Sequence, residues 1–347
     1  MGQSFSVVVI GLGYFSQFHL AAWQANKHAT LVGVSDLSAD KCAAAKQNYG
    51  VAAHVDAPTL LRDMQPDIVD IIAPPVAHAG LIRAAMAPGR TIICQKPFCT
   101  SPEEAEAIAA EATKAGSMLV VHENFRFQPW YRAIKAFLTA GRLGQVYAAR
   151  FALRPGDGRG PDAYLARQPA FQSMTRFLIH ETGVHFVDLF RWLFGDVTSV
   201  YADLRQLNPA IKGEDAGLLL MSHASGTRSQ FDGNRLSDHV AENLRQTMGE
   251  MVIEGSEGAL TLDGSGSVQF RAFGSTEIET IRASQPEDKH GFGGGCVAYL
   301  INHVVDARTK GTAPENTVDA YLPVIRVTEA AYRSASEGRR ICLEEPR

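Results

Sequence analysis

The chain has few cysteines, no excess of basic residues and no long apolar run, and each shortage excludes a class of protein. Its cysteines number five, and no two of them form a C-x-x-C pair. This spacing excludes a zinc ribbon and a thioredoxin-type motif. A chain of this length can bury a core of its own, so a disulfide framework is not expected. We therefore predict a reducing, cytoplasmic setting.

The charge balance and the hydropathy exclude two kinds of partner. The 33 Lys and Arg against 37 Asp and Glu give a formal charge of −4, which leaves no basic excess to neutralise a phosphate backbone. We therefore expect no nucleic-acid partner. No apolar run approaches the roughly 20 residues that cross a bilayer, so we expect no membrane partner.

What is present is the composition of an ordinary globular protein. Hydrophobic residues make up 46% and charged residues 20% of the 347 residues, which argues against disorder. At about 150 residues per domain, this length predicts two domains. We place the first domain at 1–128 and the second at 129–347, with the final helices able to pack back on the first.

The first 125 residues alternate between short apolar runs and helical segments. Because the apolar runs do not alternate with polar residues, they predict parallel strands buried on both faces by helices, as in a doubly wound α/β sheet. The predicted strands are 6–10, 30–35, 68–72, 91–94 and 118–122. The predicted helices are 14–26, 39–48, 77–86 and 102–115.

The pattern changes near Gln145, where strand-like runs follow one another with few helices between them. Turn signals separate these runs, which predicts an open, mainly antiparallel sheet in an α+β domain. The predicted strands are 146–153, 198–204, 217–222, 227–232, 251–254 and 259–262. The predicted helices are 182–194, 297–309 and 318–336. The glycine-rich stretch 292–295 is expected to be a flexible loop.

A glycine loop and an acidic residue predict a dinucleotide site. Residues 11–16 read G-x-G-x-x-S between a predicted strand and helix, which is the arrangement that presents helix N–H groups to a pyrophosphate. Gly11 would allow the tight turn and Gly13 the close approach of the anion. Asp36 ends the second strand, where a carboxylate accepts hydrogen bonds from ribose hydroxyls and repels a 2′-phosphate. We therefore predict NAD as the cofactor, with NADP less favoured. The alternative is a glycine turn and a strand-end acid with no ligand.

Polar residues follow three further strands, at the edge where open α/β sheets bind ligands. Lys96 stands between a buried strand and a proline, which is an unusual place for a solvated lysine. A lysine held there could exchange a proton near neutral pH. The alternative is a structural ion pair.

A second polar group lies in the later part of the chain. Glu181, His185 and Asp188 are spaced four and three apart, so they form one stripe if the helix extends back to Glu181. A zinc site is disfavoured because His180 and His185 are five residues apart, which puts them on different faces. A purely structural His185 stays an alternative. The polar segment 154–172 before this helix could line a substrate, and an arginine there would suit a sugar acid.

Taken in order, these motifs resemble the Gfo/Idh/MocA oxidoreductase family, which includes glucose–fructose oxidoreductase and inositol dehydrogenases. The matching segments are Gly11-x-Gly13, Ala73-Pro74, Gln95-Lys96-Pro97, 124–129, 141–144, 181–188 and 332–339. They span nearly the whole chain. The resemblance implies a Rossmann domain followed by a domain with an open sheet, which commonly forms dimers or tetramers in the family. We therefore expect a homodimer or homotetramer.

The resemblance also implies a reaction, in which a hydride passes between nicotinamide and a hydroxyl-bearing carbon of a sugar, sugar acid, polyol or cyclitol. Lys96 and His185 would handle the proton, and Glu181 would bind a substrate hydroxyl or orient His185. The expected cofactor-binding residues are Gly11, Gly13, Tyr14, Phe15, Asp36, Ala73, Pro74, His78, Gln95, Lys96 and Asn124. The expected substrate-binding residues are Lys96, Arg126, Arg154, Tyr164, Glu181 and His185. No metal ligand is expected.

Three positions depart from the family pattern. Ser16 stands at the third small position of the glycine loop, where the change should cost little. Glu181 stands where the family usually has Asp, which moves the carboxylate by about one C–C bond. Gln95 stands where the family usually has Glu, which removes a charge beside Lys96. Two other functions stay open: a non-enzymatic regulatory protein that binds NAD and a sugar, and a dehydrogenase or reductase of a non-sugar substrate such as a dihydrodiol.

Overall fold

Two β-sheets organise the computed structural model, which describes residues 4–343. They belong to two compact units. One unit consists of the chain up to Glu123 together with Val297–Leu322, and the other of Asn124–Cys296 and the chain from Pro323 onward. The stretch Val297–Leu322 therefore groups with the N-terminal unit although it is distant in sequence.

The N-terminal unit contains a parallel six-stranded sheet of order β3-β2-β1-β4-β5-β6. This order confirms the predicted doubly wound Rossmann sheet, and its direction reverses between β1 and β4. The strands are β1 (Phe5–Ile10), β2 (Ala29–Ser35), β3 (Ala52–His54), β4 (Ile68–Ile71), β5 (Thr91–Gln95) and β6 (Met118–His122). The helices that follow them are α1 (Ser16–Ala25), α2 (Ala39–Tyr49), α3 (Ala57–Met64), α4 (Pro75–Ala85) and α5 (Pro102–Lys114).

Burial and helix capping explain why this part of the chain folds as predicted. Val7, Val8 and Val9 in β1 are fully buried, as expected of a strand covered on both faces. The hydroxyl of Ser101 accepts a hydrogen bond from the backbone of Glu104 and begins α5, which satisfies one of the helix's free N–H groups. The sequence reading missed β3 and α3, because β3 has only three half-buried residues and no apolar run.

The second unit contains a nine-stranded sheet of order β14-β13-β12-β11-β7-β10-β9-β8-β15. Its pairs are antiparallel except that of β7 with β10, which is parallel. The predicted mainly antiparallel sheet is therefore confirmed. Its strands are β7 (Val146–Leu153), β8 (Val197–Arg205), β9 (Ala216–His223), β10 (Arg228–Asn234), β11 (Gly249–Gly255), β12 (Gly258–Leu262), β13 (Val268–Ala272), β14 (Glu279–Arg282) and β15 (Ile341–Cys342).

The remaining helices are α6 (Pro129–Thr139), α7 (Val184–Phe194), α8 (Cys296–Lys310) and α9 (Val318–Glu337). The sequence did not predict α6, and it predicted that α7 begins at residue 182. A π-helical turn, Leu178–Gly183, precedes α7. In residues 4–343, no helix is both long and apolar enough to cross a membrane.

The expectation of a flexible loop at 292–295 is wrong. Gly293–Gly295 forms a single 3₁₀ turn in which Gly293 and Gly294 are buried. A Cβ on Gly293 would lie 2.7 Å from the Gln128 amide, and one on Gly294 would lie 2.8 Å from Pro129. The glycines are therefore required by close packing at positive φ.

Candidate active site

The glycine loop joins β1 to α1 at the point where the sheet order reverses. Gly11 has a φ of +99°, and a Cβ there would lie 2.5 Å from the carbonyl oxygen of Ile72. Gly11 is therefore needed by the fold itself. A Cβ on Gly13 would meet no other atom of the described chain within 4 Å, so the fold does not explain this glycine. A ligand that approaches the loop backbone does explain it.

Two side chains brace this loop. Ser16 is buried, and its hydroxyl donates to the carbonyl oxygen of Gly13 at 2.7 Å. Asp36, at the end of β2, accepts from the backbone N–H of Leu12 at 2.7 Å and from that of Ser38 at 2.9 Å. Each carboxylate oxygen can accept two hydrogen bonds, so Asp36 retains capacity for ribose hydroxyls.

The other residues predicted at this loop differ in exposure and contacts. Tyr14 is 39% exposed, and Phe15 packs edge-on against His19, with ring centroids 5.7 Å apart. Ala73 and Pro74 lie in the turn between β4 and α4. Their contacts with NAD stay predictions.

His78 braces two of the loops at the carboxyl edge of the sheet. Its ring is fully buried, with Nε2 2.8 Å from the carbonyl oxygen of Ala73 and Nδ1 2.9 Å from that of Phe98. Burial lowers the pKa of His78, which outweighs the opposite effect of the backbone carbonyls. His78 therefore ties the turn after β4 to the loop after β5, and its predicted contact with NAD stays a prediction.

Gln95 ends β5, and the half-buried Lys96 follows it. The side-chain oxygen of Gln95 accepts a hydrogen bond from the backbone N–H of Lys96 at 3.2 Å. Gln95 is only 7% exposed. The backbone that carries the predicted catalytic lysine is therefore fixed by a buried amide.

In the second unit, Glu181 lies on the π-helical turn and not on α7, so the α-helix does not extend back to it. The condition for an α-helical stripe of Glu181, His185 and Asp188 is therefore not met. The backbone N–H of Val184 bonds to the carbonyl of Ile179, five residues back, and this pairing defines the π turn.

Polar groups outside the π turn satisfy the backbone at its start. The carboxylate of Glu214 accepts from the N–H of Ile179 at 3.1 Å, and the hydroxyl of Tyr332 accepts from the N–H of His180 at 3.0 Å. Tyr332 in turn donates to Glu214 at 2.6 Å. Such turns occur often at functional sites.

His185 lies in the first turn of α7 and is 5% exposed. Its ring stacks on that of Phe125, with centroids 3.9 Å apart. Asn124, the residue before Phe125, is 2% exposed. The stack fixes the plane of the imidazole.

Arg126 and Asp188 form a buried ion pair in the same unit. The guanidinium donates from Nε at 2.9 Å and from Nη2 at 2.5 Å to the two carboxylate oxygens. Arg126 is 7% exposed and Asp188 fully buried. The pair joins the turn after β6 to α7. The guanidinium of Arg126, which was predicted to bind substrate, therefore already contacts a carboxylate of the protein.

Arg154 and Tyr164 also donate hydrogen bonds to carboxylates of the protein. Arg154 donates to the Asp232 carboxylate at 2.7 Å, and the Tyr164 hydroxyl donates to Asp157 at 2.9 Å. Burial raises the pKa of Tyr164, so the hydroxyl keeps its proton. The substrate contacts predicted for both residues stay predictions.

Sequence reasoning overlooked Arg235, which is 2% exposed. It pairs with Asp157 at 3.2 Å and donates to the hydroxyl of Thr182 in the π turn. Its guanidinium carbon lies 4.6 Å from the centroid of the Phe177 ring. Interactions with Asp157 raise the pKa of Arg235 against the opposing effect of burial. An arginine after a strand looks like a surface residue in sequence, and its partners Asp157, Phe177 and Thr182 are all distant in sequence, so no local signal indicated its burial.

The N-terminal residues fit a dinucleotide. The open space in front of Gly13 suits a pyrophosphate, and the Asp36 carboxylate suits ribose hydroxyls. Within residues 4–343, no group of three or more His, Cys, Asp or Glu side chains could hold a metal ion.

Two family models match the chain. Residues 5–123 match an oxidoreductase family model with an NAD-binding Rossmann fold, and residues 131–261 match the GFO/IDH/MocA C-terminal domain. The D-apiose dehydrogenase of Paraburkholderia graminis is 32% identical, over 99% of this chain and 90% of that protein. The chain belongs to the Gfo/Idh/MocA oxidoreductase family.

Other Gfo/Idh/MocA relatives agree with this assignment. The inositol 2-dehydrogenase of Rhizobium meliloti is 25% identical, over 96% of this chain and 98% of that protein. An oxidoreductase from Agrobacterium radiobacter, solved with NAD⁺, L-tartaric acid and magnesium, is 28% identical with a TM-score of 0.88 over 98% of both chains. The family and the glycine loop together identify this chain as an NAD-dependent oxidoreductase.

Proposed function

We propose that this enzyme oxidises a hydroxyl-bearing carbon of a neutral, polyhydroxylated small molecule, such as a sugar or a cyclitol. The observation that carries the proposal is the likeness to a D-apiose dehydrogenase along 99% of the chain. The relative named as an inositol 2-dehydrogenase also acts on a polyhydroxylated compound. Bound NAD⁺ supplies the acceptor for the hydride that leaves the substrate carbon.

The chain's own residues would handle the hydroxyl proton. Lys96 and His185 are the proposed proton acceptors and carriers, since both an amine and an imidazole can act as general bases. Glu181 would accept a hydrogen bond from a substrate hydroxyl or orient His185. The longer Glu side chain, in place of the Asp usual in the family, would change which hydroxyl is bound.

Four buried or half-buried arginines favour a neutral substrate over a sugar acid. Arg126 is paired with Asp188 and Arg154 with Asp232. Arg167 and Arg235 share Asp157. A guanidinium that already contacts a carboxylate has less to gain from a second one. The L-tartaric acid in the Agrobacterium structure keeps an acidic substrate as the second candidate.

The experiment is a panel of substrates with NAD⁺, followed by NADH absorbance. The panel contains D-apiose, myo-inositol and L-tartrate. NADH formation with D-apiose or myo-inositol but not with L-tartrate is expected. Turnover of L-tartrate alone would contradict the neutral-substrate proposal.

The Lys96→Ala variant tests the proton assignment. It should lose most turnover and keep most of its affinity for NAD⁺, since the glycine loop and Asp36 are unchanged. Turnover at the wild-type rate would contradict the role of Lys96. The two alternative functions have their own tests. A regulatory protein would bind NAD⁺ and a sugar in calorimetry but form no NADH with any compound. Adding a dihydrodiol to the substrate panel tests the non-sugar alternative.

We further propose a cytoplasmic homodimer or homotetramer. The cysteines described are all free thiols, and four of the five are buried, which suits a reducing compartment. A concave part of the nine-stranded sheet is lined by Met221, Val252 and other residues and offers a surface for a second copy. Light scattering of the purified protein measures the oligomeric state, and a monomer would contradict this proposal.

A further inference from the structure

A chain of buried polar side chains leads from β4 to the backbone of Lys96. Oδ2 of Asp70 lies 2.7 Å from Nδ1 of His19. The Gln95 amide nitrogen lies 2.8 Å from the other ring nitrogen of His19 and 3.1 Å from Nδ1 of His122. The Gln95 oxygen accepts the backbone N–H of Lys96 at 3.2 Å. None of the four side chains exceeds 7% exposure, so a mismatched donor or acceptor here costs free energy.

The backbone N–H of Lys96 fixes the orientation of the Gln95 amide. This N–H can only donate, so the atom of Gln95 that faces it is the oxygen. The amide nitrogen of Gln95 therefore faces the two histidines, and it can only donate to them. An inverted amide would place two donors against each other at Lys96.

The orientation of the amide fixes the protons of both imidazoles. Because Nε2 of His19 accepts from Gln95, the single proton of a neutral ring lies on Nδ1 and points at Asp70. Because Nδ1 of His122 accepts from Gln95, its proton lies on Nε2. Both rings are neutral in this arrangement. The indole N–H of Trp23 also donates to Oδ2 of Asp70 at 2.7 Å.

We propose that Asp70, His19 and His122 are positioning residues that hold the Gln95 amide in one orientation and, through it, the backbone of Lys96. This inference rests on the proposed role of Lys96 in proton transfer. Asp70 selects the tautomer of His19, and the two ring nitrogens then accept both N–H groups of Gln95. The oxygen of Gln95 is left to hold Lys96.

The position of the His19 proton is coupled to this arrangement. A proton on Nε2 would face the amide N–H of Gln95, so it would require the amide to invert and release Lys96. The ionisable groups facing His19 and Gln95 are Asp70 from β4 and His122 from β6. Cys94 on β5 interacts electrostatically with Asp70, and Lys96 contacts Gln95 through its backbone N–H. Burial holds the pKa of Cys94 well above its ordinary value, so Cys94 stays a thiol.

The direct test is nuclear magnetic resonance of the protein labelled with ¹⁵N-histidine, without any ligand. Long-range proton–nitrogen correlations distinguish the two neutral tautomers from the charged ring, and His19→Gln and His122→Gln assign the signals. The expected result at pH 7.5 is an Nδ1–H tautomer for His19 and an Nε2–H tautomer for His122. A charged His19, or its Nε2–H tautomer, would overturn the proposal.

Two variants of Gln95 test what the chain does for Lys96. Gln95→Leu should speed hydrogen exchange at the Lys96 backbone N–H by about fivefold, because a bond worth about 1 kcal/mol is lost. Gln246→Leu removes another buried amide, one that donates to Ser265 in the second unit, and should leave that exchange rate unchanged. Equal rates in wild type and Gln95→Leu would count against the proposal.

Gln95→Glu gives a distinct pH signature. A carboxylate cannot donate to either histidine, so the variant must take up a proton to keep the arrangement. With D-apiose and NAD⁺, its kcat should be highest at acid pH and fall between about pH 5 and 8 relative to wild type, the range in which imidazoles change charge. A profile of the wild-type shape contradicts the proposal. The tautomer and exchange results do not require turnover, so they stand if the proposed substrate is wrong.

Discussion

His185 lies flat on Phe125, with ring centroids 3.9 Å apart and ring planes only 1° apart. Because both residues are almost fully buried, the contact leaves the imidazole little freedom to tilt. Aromatic pairs contribute about 0.5–1.5 kcal/mol beyond the area that they bury. Phe125 therefore determines the plane in which His185 presents its nitrogens.

We expect Phe125→Leu to lower kcat by about tenfold or more, because a misoriented base loses much of its effect. Phe137→Leu is the matched control, since Phe137 is equally buried and packs on Phe270 with ring centroids 5.0 Å apart. Both variants should lose about 1–2 kcal/mol of unfolding free energy in urea. Similar kcat values for the two variants would exclude a specific role for the stack.

Removal of one charge from the Arg126–Asp188 pair should be strongly destabilising. Asp188→Asn leaves a buried guanidinium without its counter-charge, which costs about 3–5 kcal/mol of unfolding free energy. The exposed pair of Arg83 and Glu111 is the control, and Glu111→Gln should cause no measurable loss in urea denaturation. A small effect of Asp188→Asn would mean that water reaches the pair.

Gly13→Ala separates cofactor binding from folding. The added methyl group would meet no described atom within 4 Å, so the thermal midpoint should stay unchanged. The NAD⁺ affinity should fall by about tenfold or more, because the methyl group occupies the space through which the pyrophosphate approaches the backbone. Gly80→Ala on α4, where a Cβ also meets nothing, should leave the NAD⁺ affinity unchanged and raise the thermal midpoint slightly, because alanine is favoured over glycine inside a helix. Unaltered NAD⁺ affinity in Gly13→Ala, measured by calorimetry, would argue against this loop as the cradle.

Stability should decrease at acid pH because the buried His223 is neutral in the folded state. Burial lowers the pKa of His223, whose Nδ1 donates to the Gly195 carbonyl at 2.7 Å. The unfolded chain therefore takes up a proton first, below about pH 6.5, and stability is lost as the pH falls through the folded pKa. The slope from one group approaches about 1.4 kcal/mol per pH unit.

His223→Asn tests this slope. The variant should be less stable than wild type at pH 7.5, and its unfolding free energy should depend less on pH below about 6.5, since one titrating group is gone. His28→Asn, at an exposed position, should keep the wild-type dependence. Urea denaturation at several pH values measures both, and an acid slope that His223→Asn does not reduce would contradict the assignment.

The sequence predicted the Rossmann sheet well because its strands are buried on both faces. Each such strand is a continuous apolar run, such as Val7, Val8 and Val9, and the run is visible without knowledge of its neighbours. The Gly11 and Asp36 loop was predictable for a similar reason, since the tight turn and the acid are local features. β3 was missed because three half-buried residues make no such run.

Long-range pairs were not predictable. Nothing near Arg126 in the sequence indicates Asp188, 62 residues away, as its partner. The position of Glu181 was also misjudged, because the π turn depends on Glu214 and Tyr332, which are distant in sequence. Glu181 and His185 are four residues apart in sequence whether the segment forms an α-helix or a π turn. Only the backbone hydrogen bonds in the structure distinguish the two conformations.

The π turn at Leu178–Gly183 also affects how this enzyme could diverge. A π turn behaves like an α-helix with one residue inserted. Deletion of one residue there would restore α-helical pairing and rotate the side chains before the deletion by about 100° relative to α7. A single codon loss, with no substitution at Glu181 or His185, would therefore change their relative orientation. The substrate contacts proposed for Glu181 and His185 would change with that orientation.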